Sequence, residues 1–203
     1  MKNTGAVILA AGKGSRFGGP KQHIQIDGVP LWGHVKATAT SVLPGSCVVV
    51  VGIDIPGGAT RTASVQAGLN HLASKGLEQV AILEAARPLL TRRQLADLVS
   101  APGESKTFTK PLVNTVIMKN KSYLNRDEML ELLTPQCFDF QLLKHALDSG
   151  TFTDVTDETR IMWEYHQIPP IFLDGGNNLV KITYPSDLHV IRRLVEEKQC
   201  AAA

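Results

Sequence analysis

Paired cysteines, long apolar runs and a strong charge of either sign are all missing from this chain, and each gap removes a class of function. Cys47, Cys137 and Cys200 are widely spaced and odd in number. They fit reduced thiols in a cytoplasmic protein and have no metal-ligand spacing. No apolar run approaches the length that crosses a bilayer. Met1-Lys2-Asn3-Thr4 leads straight into a strand-like segment, which leaves no room for a signal peptide as an expectation. Lys and Arg number 21 against 19 Asp and Glu, a net charge of +2. That balance supports neither nucleic-acid binding nor a membrane surface, so local charge has to carry any argument about ligands. The six histidines are scattered without partner spacing and read as structural. Repeats and low-complexity tracts are absent.

What is present suits one domain over 1–203 with a substantial core. Ala6 to Leu9, Cys47 to Val51 and Val80 to Leu83 are short apolar runs, as buried parallel strands require. Helices are expected between them, at Pro30 to Val42 and at Ala63 to Ser74 with Gly76 as its stop. Thr91 and Gln94 have the spacing of a capping box for a helix to about Ser100. Strand alternating with helix predicts an α/β fold: a Rossmann-like, mostly parallel sheet flanked by helices. Later, Leu112 to Met118 reads as a strand and Asn120 to Leu124 as a returning hairpin arm. Asp139 can cap a helix to Ser149, and Thr156 or Asp157 another through Tyr165. Ile171 to Leu173 and Leu179 to Ile182 read as short strands. A last helix near Pro185 places Leu188, Ile191, Leu194 and Val195 on one face.

The stretch LAAGKGSRFGGPKQ, Leu9 to Gln22, follows the first strand and packs four glycines among three cations, Lys13, Arg16 and Lys21. Ligands of open α/β sheets bind where loops leave the carboxyl ends of strands. Glycines there let backbone N–H groups approach an anion, so a polyphosphate is the natural partner. The spacing is neither a P-loop nor a good dinucleotide fingerprint. The alternative on glycine content alone is a flexible surface turn.

This stretch resembles the nucleotide-binding loop of sugar-phosphate nucleotidyltransferases. GGATRTASVQAGL (Gly57 to Leu69), EAARPLLT (Glu84 to Thr91), LTPQCF (Leu133 to Phe138), TDE (Thr156 to Glu158) and VKITYPSDL (Val180 to Leu188) occur in the order of one branch. That branch holds the 2-C-methyl-D-erythritol 4-phosphate and ribitol-5-phosphate cytidylyltransferases. The resemblance implies CMP transfer from CTP to a small phosphorylated polyol, methylerythritol phosphate foremost, with release of pyrophosphate and a place in isoprenoid biosynthesis. It also implies Mg²⁺ as cofactor and a homodimer with a protruding β-arm near residues 110–135.

Residue by residue, the resemblance makes Arg16, Lys21 and Lys181 catalytic. Ala10, Ala11, Gly12, Gly14, Gly58, Ser64 and Ala85 would hold the nucleotide, and Glu84 the metal. Arg87, Thr115, Arg126, Thr134 and Asn178 would bind the acceptor, with Thr115, Arg126 and Thr134 reaching in from the neighbouring subunit. On the residues alone, Ser64 could equally be a helix-surface serine, Glu84 a solvated strand end, and Arg87 a partner to a nearby carboxylate. Three departures stand out. Only Ile53 to Pro56 occupies the place of a strand and helix before GGATR. Ala101 to Lys110 replaces a more apolar strand. Asn178 and Asn114 stand where the family has aspartates, which leaves ribitol phosphate, another polyol phosphate or a phosphonate as acceptor alternatives. A molybdenum-cofactor or sugar nucleotidyltransferase, or a non-catalytic nucleotide-binding module, also stays open.

Overall fold

The computed structural model describes residues 2–200, with side chains through residue 194. The chain begins with β1 (Thr4–Leu9), then a glycine-rich loop, and a small hairpin of β2 (Gln25–Ile26) and β3 (Val29–Pro30). Next come α1 (Leu31–Thr40), β4 (Val48–Val51), α2 (Arg61–Leu72), β5 (Gln79–Glu84) and α3 (Arg92–Ser100). The second half runs β6 (Ser105–Pro111), β7 (Leu130–Asp139), α4 (Phe140–Asp148), α5 (Glu158–His166), β8 (Ile171–Asp174) and α6 (Asp187–Cys200).

Six strands form one sheet in the order β4-β1-β5-β7-β6-β8. β4, β1 and β5 are parallel, β7 is antiparallel to both neighbours, and β8 is parallel to β6. Successive side chains on a strand face opposite sides, and here both sides are covered. Ala6, Ile8, Val48, Val50, Ala81 and Leu83 pack with Val35 and Ala39 of α1 and Leu95, Leu98 and Val99 of α3. Val7, Val49, Val51, Val80 and Ile82 pack with α2, α4 and α5 through residues such as Val65, Leu69, Leu143 and Ile161. The α/β expectation therefore holds. From β1 the chain passes to β4 on one side and then to β5 on the other. That reversal opens a crevice at the carboxyl ends of β1 and β5.

The predicted caps are in place. Thr91 and Gln94 make the reciprocal capping box, Asp139 Oδ1 accepts from Leu142 N at 3.0 Å, and Asp157 caps α5. β4 is an edge strand of the sheet. Asp54 Oδ2 accepts the Val50 N–H at 2.9 Å, and Lys36 pairs with Asp54 at 3.1 Å. A charged plug of this kind protects an edge from pairing with another chain.

Two strand expectations fail. Residues 112–118 form no strand; the sheet strand is β6, and 112–118 contributes one bridge, Ile117 to Tyr123, in an exposed hairpin arm. β6 reads as polar, yet Lys106 is accommodated inside: its Nζ donates to Gln79 Oε1 at 2.8 Å and Ala101 O at 3.0 Å. Residues 179–182 are also not a strand; Ile182 N donates to Ala86 O at 2.9 Å without a ladder. Of the predicted α6 face, Leu188, Ile191 and Leu194 pack beside Ile26, Leu31, Leu89 and Ile182, and Val195 lies outside the described side chains, as does Cys200. Cys47 and Cys137 are buried free thiols.

Candidate active site

The crevice is a cleft of about 470 Å³ lined by residues 9–17, Lys21, Gln22, residues 58–61, Ser64, residues 84–86, Lys181 and Thr183. Its floor is the loop after β1. Gly14 has φ 66°, and a Cβ there would lie 1.8 Å from Gly19 O. The Gly14 carbonyl accepts N–H bonds from Phe17, Gly18 and Gly19 at 2.8, 3.0 and 3.2 Å. The loop thus closes on itself at residues 14–19. The backbone N–H groups of residues 11–16 have no intramolecular partner among the described residues. Unsatisfied amides along a cleft are a site for an anion.

The second wall begins α2. Thr60 caps it, accepting from Ala63 N at 3.1 Å. Gly58 runs so close to the helix that a Cβ would sit 2.4 Å from Ala63 Cβ. Ser64 is buried; its Oγ donates to Thr60 O at 3.0 Å and accepts from Gly58 N at 3.1 Å. One lone pair of Ser64 is left, so towards a ligand this hydroxyl can only accept.

Three cations converge. Phe17 and Ile24 of the loop pack on the cluster containing Ile182, which brings Lys21 Nζ to donate to Ile182 O. Lys181, the preceding residue, pairs with Glu84 Oε2 at 2.5 Å. Burial, then repulsion from Lys181, and further from Arg16, lower the Lys21 ammonium from its usual value against the opposing pull of Glu84. A cluster whose members repel one another is relieved when a polyanion enters.

Glu84 ends β5 with its side chain 12 % exposed. Burial pushes its carboxyl up, but Lys181, then Arg61 and Arg87, outweigh this and hold it below the usual glutamate value. Its folded-state value lies below that of the unfolded chain. The ionised pair therefore adds stability above the ordinary glutamate range, and this is lost as pH falls through the lowered value. Wild type should melt above Glu84→Gln at neutral pH, and the gap should narrow as pH falls below the ordinary glutamate value of about 4.3. A gap that does not narrow on acidification below that value would contradict the pairing.

Of the residues named from sequence, Ala10, Ala11, Gly12, Gly14, Arg16, Lys21, Gly58, Ser64, Glu84, Ala85 and Lys181 all line the one cleft. Arg87 lies behind it, buried, donating to Thr134 Oγ1 at 2.8 Å and to Leu179 O. Thr134 is therefore a sheet residue of β7 serving Arg87 of its own chain, not an arm residue. Its neighbours in the arm expectation differ: Thr115 is exposed, and Arg126 Nη1 donates to Val113 O at 2.6 Å. Asn178 exchanges two amide hydrogen bonds with Gln94, at 3.1 and 3.2 Å. Arg61 and Thr183 line the cleft although the sequence reading gave them no role. Arg61 lies inside the quoted GGATR motif, where its charge was the available signal.

Comparison with known proteins agrees with this geometry. Residues 46–197 match the family model described as IspD: 2-C-methyl-D-erythritol 4-phosphate cytidylyltransferase. The chain is 32% identical to the 2-C-methyl-D-erythritol 4-phosphate cytidylyltransferase of Chromobacterium violaceum, over 94% of this chain and 96% of that one. It is 30% identical to the protein of that name from Pelotomaculum thermopropionicum, over 98% and 97%. The alignment with the first spans 218 positions, more than the 203 residues here, in keeping with the abridged segment. The fold matches the Thermus thermophilus 2-C-methyl-D-erythritol 4-phosphate cytidylyltransferase structure with a TM-score of 0.76, covering 97% of this chain and 100% of that one at 23% identity. It also matches the bifunctional IspDF of Campylobacter jejuni, with a TM-score of 0.80 at 24% identity, over 92% of this chain and 53% of that one. The chain belongs to the 2-C-methyl-D-erythritol 4-phosphate cytidylyltransferase family.

Proposed function

We propose that this chain transfers CMP from CTP to 2-C-methyl-D-erythritol 4-phosphate and releases pyrophosphate. The observation that carries the reading is the meeting of Arg16, Lys21 and Lys181 with the unpartnered amides of residues 11–16 around one cleft. The acceptor phosphate is already ionised near neutral pH, so no general base is required. Its oxygen attacks the α-phosphorus of CTP, and the bond to the β-phosphate oxygen breaks. The protein's task is to overcome repulsion between two anions and to stabilise charge growing on the α-phosphate and the leaving pyrophosphate. Arg16, Lys21 and Lys181 do this with fixed charge, and the glycine-loop amides with preset dipoles. Arg87 supplies a buried cation on the acceptor side, held in place by Thr134 and Leu179 O.

Glu84 is the one acidic residue lining the cleft among the described residues. Those residues contain no group of three or more His, Cys, Asp or Glu that could hold a metal ion. A Mg²⁺ bound chiefly by triphosphate oxygens and one carboxylate suits that donor set, with Glu84 as the protein ligand. When bound, the ion would neutralise part of the triphosphate charge.

The remaining lone pair of Ser64 supports cytosine selection. It can accept from the exocyclic amine of cytosine and only repels the carbonyl that uracil has there. Ser64→Ala should lower the preference for CTP over UTP by about 10-fold, the size of one lost buried hydrogen bond; an unchanged preference would assign Ser64 to shaping the Gly58 turn alone. Pyrophosphate release with methylerythritol phosphate and each of the four nucleoside triphosphates tests the nucleotide. CTP should exceed the others, and equal rates would count against the reading.

A second copy of the chain fits the exposed arm. Val113 is 79% and Tyr123 75% exposed, with Ile117, Met118, Leu130 and Leu132 also open. An apolar surface on a protruding hairpin suits an isologous dimer in which the arm reaches the partner's site. The buried thiols Cys47 and Cys137 suit a reducing, cytoplasmic setting, and among the described residues no helix is long and apolar enough to cross a membrane.

A further inference from the structure

Arg61 and Glu158 stand in two motifs, GGATR and TDE, whose place in the reaction is so far unassigned. They are 97 residues apart and meet in a bidentate pair: Arg61 Nη1 donates to Glu158 Oε1, and Nη2 to Glu158 Oε2 at 2.8 Å. The Glu158 side chain is fully buried. It begins α5, while Arg61 begins α2 and lines the cleft. The third donor of the guanidinium, Nε, is buried without a hydrogen-bond partner. It lies 3.8 Å from Glu84 Oε1, on the side of the carboxylate opposite the oxygen that holds Lys181.

A guanidinium is planar and rigid, so fixing two of its nitrogens fixes the third. Glu158 therefore determines where Arg61 Nε points. The result is a row of alternating charge, Glu158, Arg61, Glu84 and Lys181, running from the buried start of α5 to the ammonium in the cleft. We propose that Arg61, clamped by Glu158, is a positioning residue that holds the Glu84 carboxylate and through it sets the place of the Lys181 ammonium. This rests on the cytidylyl-transfer reading for its kinetic consequence, but not for its geometry. A lysine at position 61 would keep the charge facing Glu158. It is a single point charge and cannot offer a two-nitrogen fork and a third fixed donor together.

The test is a double-substitution cycle on pyrophosphate release. Arg61→Met would strand a buried carboxylate and endanger folding, so Arg61→Lys is the working variant, with circular dichroism and melting to confirm the fold. Arg61→Lys should lower kcat by about 10- to 100-fold, as expected for a misplaced catalytic group, with KM for CTP changed less. In a Glu84→Gln background the same change should cost less than about 3-fold, because its effect passes through Glu84. Multiplying effects in the double variant, or an unchanged kcat with only a lowered melting temperature, would overturn the proposal. A second arm is independent of turnover. Crystals of Arg61→Lys should show the Lys181–Glu84 contact displaced relative to wild type, and both side chains in their wild-type places would overturn it. A wild type that releases no pyrophosphate would sink the transfer reading and leave the crystal comparison to decide the clamp.

Discussion

Lys21→Ala should lower kcat by 10²–10³, the cost of losing one preset transition-state donor, with a smaller change in KM for CTP. Lys21 sits on the loop after β1, beside Lys181 and Arg16, and its ammonium is held by the backbone carbonyl of Ile182. That carbonyl is a neutral partner, which a triphosphate oxygen readily replaces. Charge on the α-phosphate and the leaving group grows as the new bond forms, so a cation placed there favours the transition state over the bound substrate. Steady-state kinetics on a folded variant read the split directly. A near-normal kcat with only a raised KM would make Lys21 a contributor to uniform binding.

The second large effect is a recovery. Arg126 lies on the exposed arm, and Lys21 in the cleft of the main sheet. If the arm completes a partner's acceptor site, Arg126→Ala and Lys21→Ala disable opposite halves of a shared site. Each variant alone should be nearly inactive. After subunit exchange, half the dimers are mixed and hold one intact site of two, so about a quarter of wild-type activity should return. Thr134 makes no contribution across the interface in this scheme, because Arg87 of its own chain holds it. Absence of recovery despite demonstrated exchange would place nucleotide and acceptor on one chain.

Much of this was legible in the sequence where the signal was local. The glycines and cations of residues 9–22 marked the floor of the cleft, because a loop that must leave amides free needs residues without side chains. Caps at Thr91, Asp139 and Asp157 were readable because each depends on a donor two or three residues away. β6 lies almost wholly in the stretch Ala101 to Lys110, which reads from sequence only as a replacement for a more apolar strand. Its sequence holds Lys106 and Thr107, whose burial depends on acceptors at Gln79 of β5, Ala101 just past α3 and Leu133 of β7. Thr134 was assigned to the arm, since nothing nearby in sequence announces Arg87. The Arg61–Glu158 clamp was invisible for the same reason: two charges separated by 97 residues have no periodicity to read. Glu84 was placed correctly at its strand end, but its pairing with Lys181 emerges only when the segment after β8 folds back along the cleft.

The reaction assigned to this cleft is the joining of CMP from CTP to an acceptor phosphate. Phosphorus NMR of the wild-type protein with CTP, Mg²⁺ and 2-C-methyl-D-erythritol 4-phosphate tests it most directly. The expected result is a new pair of coupled diphosphate signals from a cytidine diphosphate ester, growing in step with free pyrophosphate and at the expense of both substrates. CMP and pyrophosphate without the ester, or unchanged CTP beside the acceptor, would contradict it.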